Sequence, residues 1–301
     1  MPTATLETPS DEDEWIWESF RYHSRTFSLA TRLLPRSVQM PVATLYLFCR
    51  RVDSIADQRV LDIGRTRAIE EVHRLRDRLH KTLAGQPPAD DVLWQRLATV
   101  HESYVLKRQP LEELIDGALW DLEERRVETT DDLVAYSNLV GGSVGAMMLP
   151  FLSAYADTDG LEPSARELGI AMQITNIVRD VGEDISDLNR VYLPTTWLED
   201  HAISRSTLAD GRRPSGYASL LERAMSTAEE RYQASTDGVA ALPLRVRIGI
   251  GAAARMYREI LNEVRANEYD NLNRRAYVSF GRKLLLIAYD NYDARKARLS
   301  V

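Results

Sequence analysis

Residues 169–194 read GIAMQITNIVRDVGEDISDLNRVYLP and gather Asp180, Glu183 and Asp184 within about one helical turn, with Gln173, Asn176 and Arg179 just before them. Carboxylates at i, i+3 and i+4 share one helix face and repel each other unless a cation lies between them. The pattern points to a divalent metal, and metal so placed points to a phosphate or diphosphate ligand. A second acidic pair, Asp53 and Asp57 in CRRVDSIADQ, repeats the i, i+4 spacing with Arg50 and Arg51 immediately upstream. A lone DxxxD is most often a solvated helix face. Here the preceding MPVATLYLFC is almost wholly apolar, so the charged end of this helix needs partners, because burying an unpaired charge is costly. Oxygen-only ligands suit Mg²⁺, which is commonly held by a few carboxylates plus substrate phosphate oxygens.

Three further segments carry weaker signals. HSRTFSLATRLLP offers His23, Ser24 and Arg25, groups that can bind diphosphate oxygens or serve as an ordinary cap and surface charge. YSNLVGGSVGAMMLP joins Tyr136 to Gly141, Gly142 and Gly145, small residues that admit either a neighbouring helix or a long apolar ligand. MYREILNEVRANEYDNLNRRAYV supplies Tyr257, Arg265, Arg274 and Arg275, which could cover diphosphate or form salt bridges with Glu259, Glu263 and Glu268. The five histidines have no zinc-type spacing, and Glu70–His73 is a single E-x-x-H where a di-iron bundle wants two. No G-x-G-x-x-G, Walker loop or G-x-S-x-G is present.

Helical periodicity dominates the elements that must position these groups. Pro41 suits the first turn of a helix running to Asp57. Further helices are expected over 64–84, 90–106, 110–126, 130–155, 161–187, 214–241, 244–267 and 276–297, with no convincing strand. The 161–187 helix carries two stripes. Ile170, Ile174, Ile177, Val181, Ile185 and Leu188 form one; Gln173, Asn176, Asp180 and Asp184 form another roughly 100° away, as on a wall lining a cavity. Gly182 inside this helix costs about 1 kcal/mol against alanine, which calls for a close backbone approach or a loosening helix end. The expectation is one all-α domain over 1–301, with a frayed 1–13.

Bulk properties narrow the function. A net charge of −7 argues against a nucleic-acid partner. The single Cys49 can form no internal disulfide and suits a reducing compartment. No signal peptide is visible, and no apolar run is seen to reach the ~18 residues of a spanning helix. The expected location is cytoplasmic, with peripheral membrane attachment allowed. Trp15, Ile16, Trp17 and Phe20 are read as packing residues of a first helix in preference to a membrane contact.

The chain resembles the squalene/phytoene synthases, the head-to-head trans-prenyl diphosphate synthases. LGIAMQITNIVRDVGEDISDLNRVYLP, VDSIAD and HSRTF carry the likeness, and ANEYDNLNRRAYV is similar to the C-terminal signature of phytoene synthases. The resemblance implies the all-α isoprenoid synthase fold around a central cavity. It implies that Asp53, Asp57, Asn176, Asp180 and Asp184 bind Mg²⁺, with Mn²⁺ able to substitute. Ser24, Arg25, Arg50, Arg179, Tyr257 and Arg275 match diphosphate-contacting positions, and Tyr136 and Gln173 match positions near the reacting carbons. The implied reaction joins two geranylgeranyl diphosphates through a cyclopropyl diphosphate to phytoene, without NADPH, for carotenoid biosynthesis. The alternative is a C30 enzyme making squalene, presqualene diphosphate or dehydrosqualene from farnesyl diphosphate. Implied partners are prenyl diphosphates, with membrane contact for product release and association with other carotenoid enzymes also allowed. Two departures from the family pattern, Asn138 and Gly141, are expected to lie at the hydrocarbon cavity and to bear on the product.

Overall fold

The computed structural model describes residues 11–288. In chain order the helices are α1 (Asp11–His23), α2 (Arg25–Thr31), α3 (Arg36–Ser54), α4 (Val60–Ile63), α5 (Arg65–Leu83), α6 (Val92–Tyr104), α7 (Arg108–Leu122) and α8 (Thr130–Ser137), followed by α9 (Ser143–Leu152), α10 (Glu162–Leu188), α11 (Thr195–Asp200), α12 (Arg205–Ala209), α13 (Tyr217–Ala234), α14 (Thr236–Ala241) and α15 (Leu244–Ala266). Two π-helical turns interrupt them: Ile55–Arg59 joins α3 to α4, and Asn138–Gly142 joins α8 to α9. A last helix covers residues 280–288, and no strand occurs among the described residues.

Helix α10 is the axis. It packs on α13 and α15 on one side and on the α8–α9 run on another. Ile170, Ile174, Ile177, Val181 and Ile185 are all buried in the core it shares with α13 and α15. A second core joins α3, α5, α6, α7 and α9. The two cores leave a cavity between them, and the polar stripe of α10 faces it.

Local chemistry sets several boundaries. Asp91 caps α6 by accepting from Leu93 N at 3.1 Å, and Thr129 with Asp132 forms a reciprocal capping box on α8. Pro41 lies well inside α3, which starts five residues earlier than expected, at Arg36. Proline has no N–H to offer the carbonyl four residues back. That carbonyl, Ser37 O, instead accepts from the Tyr104 hydroxyl at 3.0 Å, which explains how the proline is tolerated. The glycines of the 136–150 segment serve a neighbouring helix: a Cβ on Gly141 would collide with the Gly169 carbonyl, and one on Gly145 with that of Ala165.

Other expectations need correction. Residues 11–13 are helical, and Glu12 and Asp13 pair with Arg96, so fraying cannot extend to residue 13. The 214–241 helix is two helices broken at Ser235, and α11 and α12 went unrecognised because they are only six and five residues long. The expected 276–297 helix begins at residue 280, and its last part lies outside the described residues. The Thr130–Leu152 run, with a mean hydropathy of 1.2, is long and apolar enough by composition to cross a membrane, contrary to expectation. Its composition has another cause here: the glycine side packs on α10, and Val140, Val144 and Met148 line the cavity. Trp15 is half-exposed, whereas Ile16 and Phe20 are fully buried, as expected of a packed first helix.

The Gly141–Gly169 crossing gives a direct test. Gly141→Ala should destabilise the fold by roughly 1–3 kcal/mol through overpacking. Urea unfolding should show a lower midpoint at an unchanged slope.

Candidate active site

The cavity has two chambers. The upper one, about 1710 Å³, is walled by α1, α2, α3, the Ile55–Arg59 turn, α7, α10, α15 and residues 275–283. The lower one, about 280 Å³, is lined almost entirely by apolar groups from α2, α3, α8–α9, α10 and α15. Phe27, Tyr46, Cys49, Asp53, Val140, Gln173 and Asn176 border both and form the neck.

Five aspartates face the upper chamber from three walls: Asp53 and Asp57 from α3 and its π turn, Asp121 from α7, and Asp180 and Asp184 from α10. Three of them have partners. Asp57 Oδ1 accepts from Arg190 at 2.9 Å. Asp121 accepts the Tyr136 hydroxyl on one oxygen and the Tyr192 hydroxyl on the other, both at 2.9 Å. Asp180 is held by two guanidiniums, Arg179 at 2.5 and 2.7 Å and Arg275 at 3.1 Å. The carboxyl groups of Asp53 and Asp184 make neither hydrogen bond nor ion pair among the described residues. Burial, reinforced by Asp57, pushes the Asp53 carboxyl up to about 7. Burial, reinforced by Asp180, Asp57 and Asp121, pushes Asp184 up to about 8. Burial also lifts Asp121 to about 7, against the opposing charge of Arg190.

These carboxylates resist ionising together, and a bound cation would relieve that. Asn176 adds an independent sign: its Nδ2 donates to Gln173 at 3.2 Å, while its buried Oδ1 has no partner. The donor set is entirely oxygen, as a hard divalent cation requires. No three His, Cys, Asp or Glu side chains among the described residues come close enough to hold a metal by themselves. The arrangement therefore fits ions whose coordination is completed by water or ligand oxygens between the walls.

The chain after α10 is steered into the site by its ending. Asn189 adopts a left-handed φ of 52°, and Arg190 N returns to Asp184 O at 2.9 Å. This turn sends Arg190 to Asp57 and to the carbonyl of Ala56 at 2.8 Å. It also stacks Tyr192 on Tyr136, with ring centroids 4.8 Å apart. Gly182 positions Arg275. Its N–H donates to Asn271 O at 3.2 Å, and a Cβ there would strike the backbone of Leu272. The buried Asn271 also donates to Val178 O and accepts from the Tyr217 hydroxyl at 2.6 Å. The loop before Arg275 is thus fastened to the middle of α10, and a close backbone approach explains the glycine. Arg275 also reaches Glu183 at 2.9 Å.

The other expected residues gather here with few exceptions. Ser24 caps α2, accepting from Phe27 N at 3.1 Å, and also lines the upper chamber. Arg25 and Arg50 line the chamber, and among the described residues no carboxylate lies within ion-pair distance of either. Tyr257 is buried beside Arg179 and packs on Phe27, with ring centroids 4.9 Å apart. Arg265 points elsewhere, to Glu222 and Glu229, and Arg274 is exposed. Asn138 does not face the cavity: it accepts from Arg166 at 3.3 Å on the packed side of the π turn. Gly141 does border the lower chamber. Asp121 was missed. Its signal was Leu111, Leu114, Ala118 and Asp121 recurring along one apolar stripe of α7, a carboxylate where a core residue belongs.

Known proteins share this architecture. The family model described as Squalene/phytoene synthase matches residues 20–282. The chain is 39% identical to a phytoene synthase of Rhodobacter capsulatus, over 90% of this chain and 78% of that one. It is 36% identical to a phytoene synthase of Cereibacter sphaeroides, over 94% and 79%. A crystal structure of a dehydrosqualene synthase in complex with ligand superposes with a TM-score of 0.84 at 29% identity, covering 95% of this chain and 97% of that one. A squalene synthase of Alicyclobacillus acidocaldarius shares the fold at a TM-score of 0.74 and 20% identity, over 86% and 94%.

The crowded carboxylates predict a pH dependence. In the metal-free protein Asp53, Asp121 and Asp184 keep their protons to higher pH than in the unfolded chain, whose ordinary value is 3.8. Stability therefore falls as pH rises toward the folded values and levels out above them. The melting temperature should drop between about pH 4 and about pH 8, and Asp53→Asn should flatten the drop. A calorimetric melt in chelator across that range checks it.

Proposed function

Because the chain belongs to the squalene/phytoene synthase family, we propose that it is a Mg²⁺-dependent phytoene synthase, a prenyltransferase that joins two geranylgeranyl diphosphates head to head. The observation that carries this reading is the two-chamber cavity, in which, among the described residues, the carboxyls of Asp53 and Asp184 are unpaired and Arg25 and Arg50 have no carboxylate partner, above an apolar pocket. An amphipathic substrate with a doubly anionic head and a long hydrocarbon tail matches both halves.

Asp53 and Asp57 on one wall, and Asn176, Asp180 and Asp184 on the other, would hold the metal ions. Bound there, Mg²⁺ supplies the charge neutralisation that turns diphosphate into a leaving group. Arg25 and Arg50, without carboxylate partners, are available for diphosphate oxygens, as is the Ser24 hydroxyl. Arg179 and Arg275 add two guanidiniums on the opposite wall, both held by Asp180. The first donor ionises to an allylic cation, the second donor's double bond attacks it, and a cyclopropyl diphosphate forms. A second ionisation, rearrangement and proton loss give phytoene, so no hydride donor is required. Val140, Val144, Met148 and Ile177 keep water from the cation. Tyr136 is held by Asp121 and Tyr192, and burial keeps its hydroxyl protonated well above the usual range. It offers a fixed aromatic face to positive charge, and Gln173 at the neck fixes the position of the reacting ends.

Purified protein with Mg²⁺ and geranylgeranyl diphosphate should form phytoene without NADPH, should stop in chelator and should recover with Mg²⁺ or Mn²⁺. Asp53→Asn or Asp180→Asn should lower turnover by about 10³-fold, roughly 4 kcal/mol of transition-state stabilisation, with circular dichroism unchanged. Full activity in either variant removes that residue from the metal set. A product formed only from farnesyl diphosphate makes the enzyme a C30 synthase.

A further inference from the structure

The cavity mouth carries an apolar surface with no partner. Eight large hydrophobic residues are exposed among the described residues, and five of them belong to two segments at this mouth: Tyr22 at the end of α1, and Tyr277, Phe280, Leu284 and Leu285. Tyr22, Tyr277 and Phe280 border the upper chamber itself, at 85%, 70% and 67% exposure. The two segments are joined where Lys283 Nζ donates to Thr26 Oγ1 at 2.8 Å.

The 280–288 helix is inverted relative to an ordinary surface helix, whose outer face is polar. At about 100° per residue, Phe280, Gly281, Leu284, Leu285 and Ala288 fall within one arc, and all five are exposed. Leu286 and Ile287 pack inward against α2 and α15 residues. Basic groups flank the apolar face: Arg21, Arg25, Arg32 and Lys283 line the mouth, with Glu18 the acidic residue at the same rim. This basic, aromatic rim belongs to a chain of net charge −7.

We propose that this rim docks on an anionic lipid bilayer, with Phe280, Leu284 and Leu285 entering the headgroup–acyl boundary and the cavity mouth facing the lipid. Apolar residues between basic ones, with tyrosines at the boundary, are what interfacial attachment uses. Positive groups near the surface are drawn to anionic headgroups. A second copy of the chain brings the same positive rim and the same net negative charge, so charge complementarity favours lipid. The docking surface stands on this geometry alone. Its consequence, that the hydrocarbon product passes from the mouth into the bilayer without crossing water, rests on the function proposed above.

Flotation of the purified full chain, without substrate, on vesicles of phosphatidylglycerol and phosphatidylcholine tests it against vesicles of phosphatidylcholine alone. The chain should float with the anionic vesicles, at least about tenfold more weakly with the neutral ones, and less in high salt. Leu284→Ser with Leu285→Ser should cut binding about tenfold, with circular dichroism and turnover of detergent-dispersed donor unchanged. Val105→Ser, at an exposed residue far along the chain, should bind as the wild type does. Equal flotation on both vesicle types, no flotation, or full flotation of the double variant overturns the proposal. So does a wild-type dimer that the double variant converts to monomer, since the face would then be an interface between copies. Flotation without turnover of any prenyl donor would reject the enzymatic reading and leave the docking surface standing.

Discussion

Like-charge repulsion in a desolvated chamber governs this structure. Five aspartates converge from three walls, and the protein answers the repulsion in three different ways. Asp180 is clamped by guanidiniums, Asp57 and Asp121 are tied to Arg190 and two tyrosine hydroxyls, and Asp53 and Asp184 are left bare. The bare pair marks where a cation would relieve the repulsion; the tied groups fix the walls around it. Much of the surrounding architecture exists to hold these side chains in place against their mutual repulsion.

The supporting devices are backbone devices. The left-handed Asn189 folds the chain back so that Arg190 and Tyr192 reach α3 and α7. Gly182 and Asn271 fasten the loop that carries Arg275. Gly141 and Gly169 bring the cavity wall against the axis helix closely enough to leave the opposite face of that wall free for hydrocarbon. Losing any of these would displace charges that lie several residues away in sequence.

Much of this was legible from spacing. Asp53, Asp57, Asp180 and Asp184 announced themselves because i, i+4 carboxylates at buried helix ends demand a cation, and the stripe from Gln173 to Asp184 marked the cavity wall. Asp121 was illegible as part of a pair because its partners, Tyr136, Tyr192 and Arg190, are distant in sequence, so only its position on an apolar stripe betrayed it. Arg265 and Arg275 look alike in the sequence, yet one pairs with α13 and the other with α10, a distinction made by the loop fastened at Gly182. Asn138 was misplaced because its place came from likeness to the family pattern, whereas here it opens a stretch where the helix departs from α geometry and its side chain turns to Arg166.

That departure reaches beyond one residue. A π turn holds one residue more than an α turn, so every position after it is carried about 100° around the axis from where a simple wheel puts it. The two π turns here, Ile55–Arg59 beside Asp57 and Asn138–Gly142 in the cavity wall, are therefore phase shifters built into otherwise continuous helices. A one-residue deletion elsewhere in these helices scrambles the register of the core. At either π turn it could be absorbed by tightening the turn to α, leaving the residues on both sides facing as before. Chain length at these two places can thus change by one residue without changing which groups the rest of the cavity wall presents.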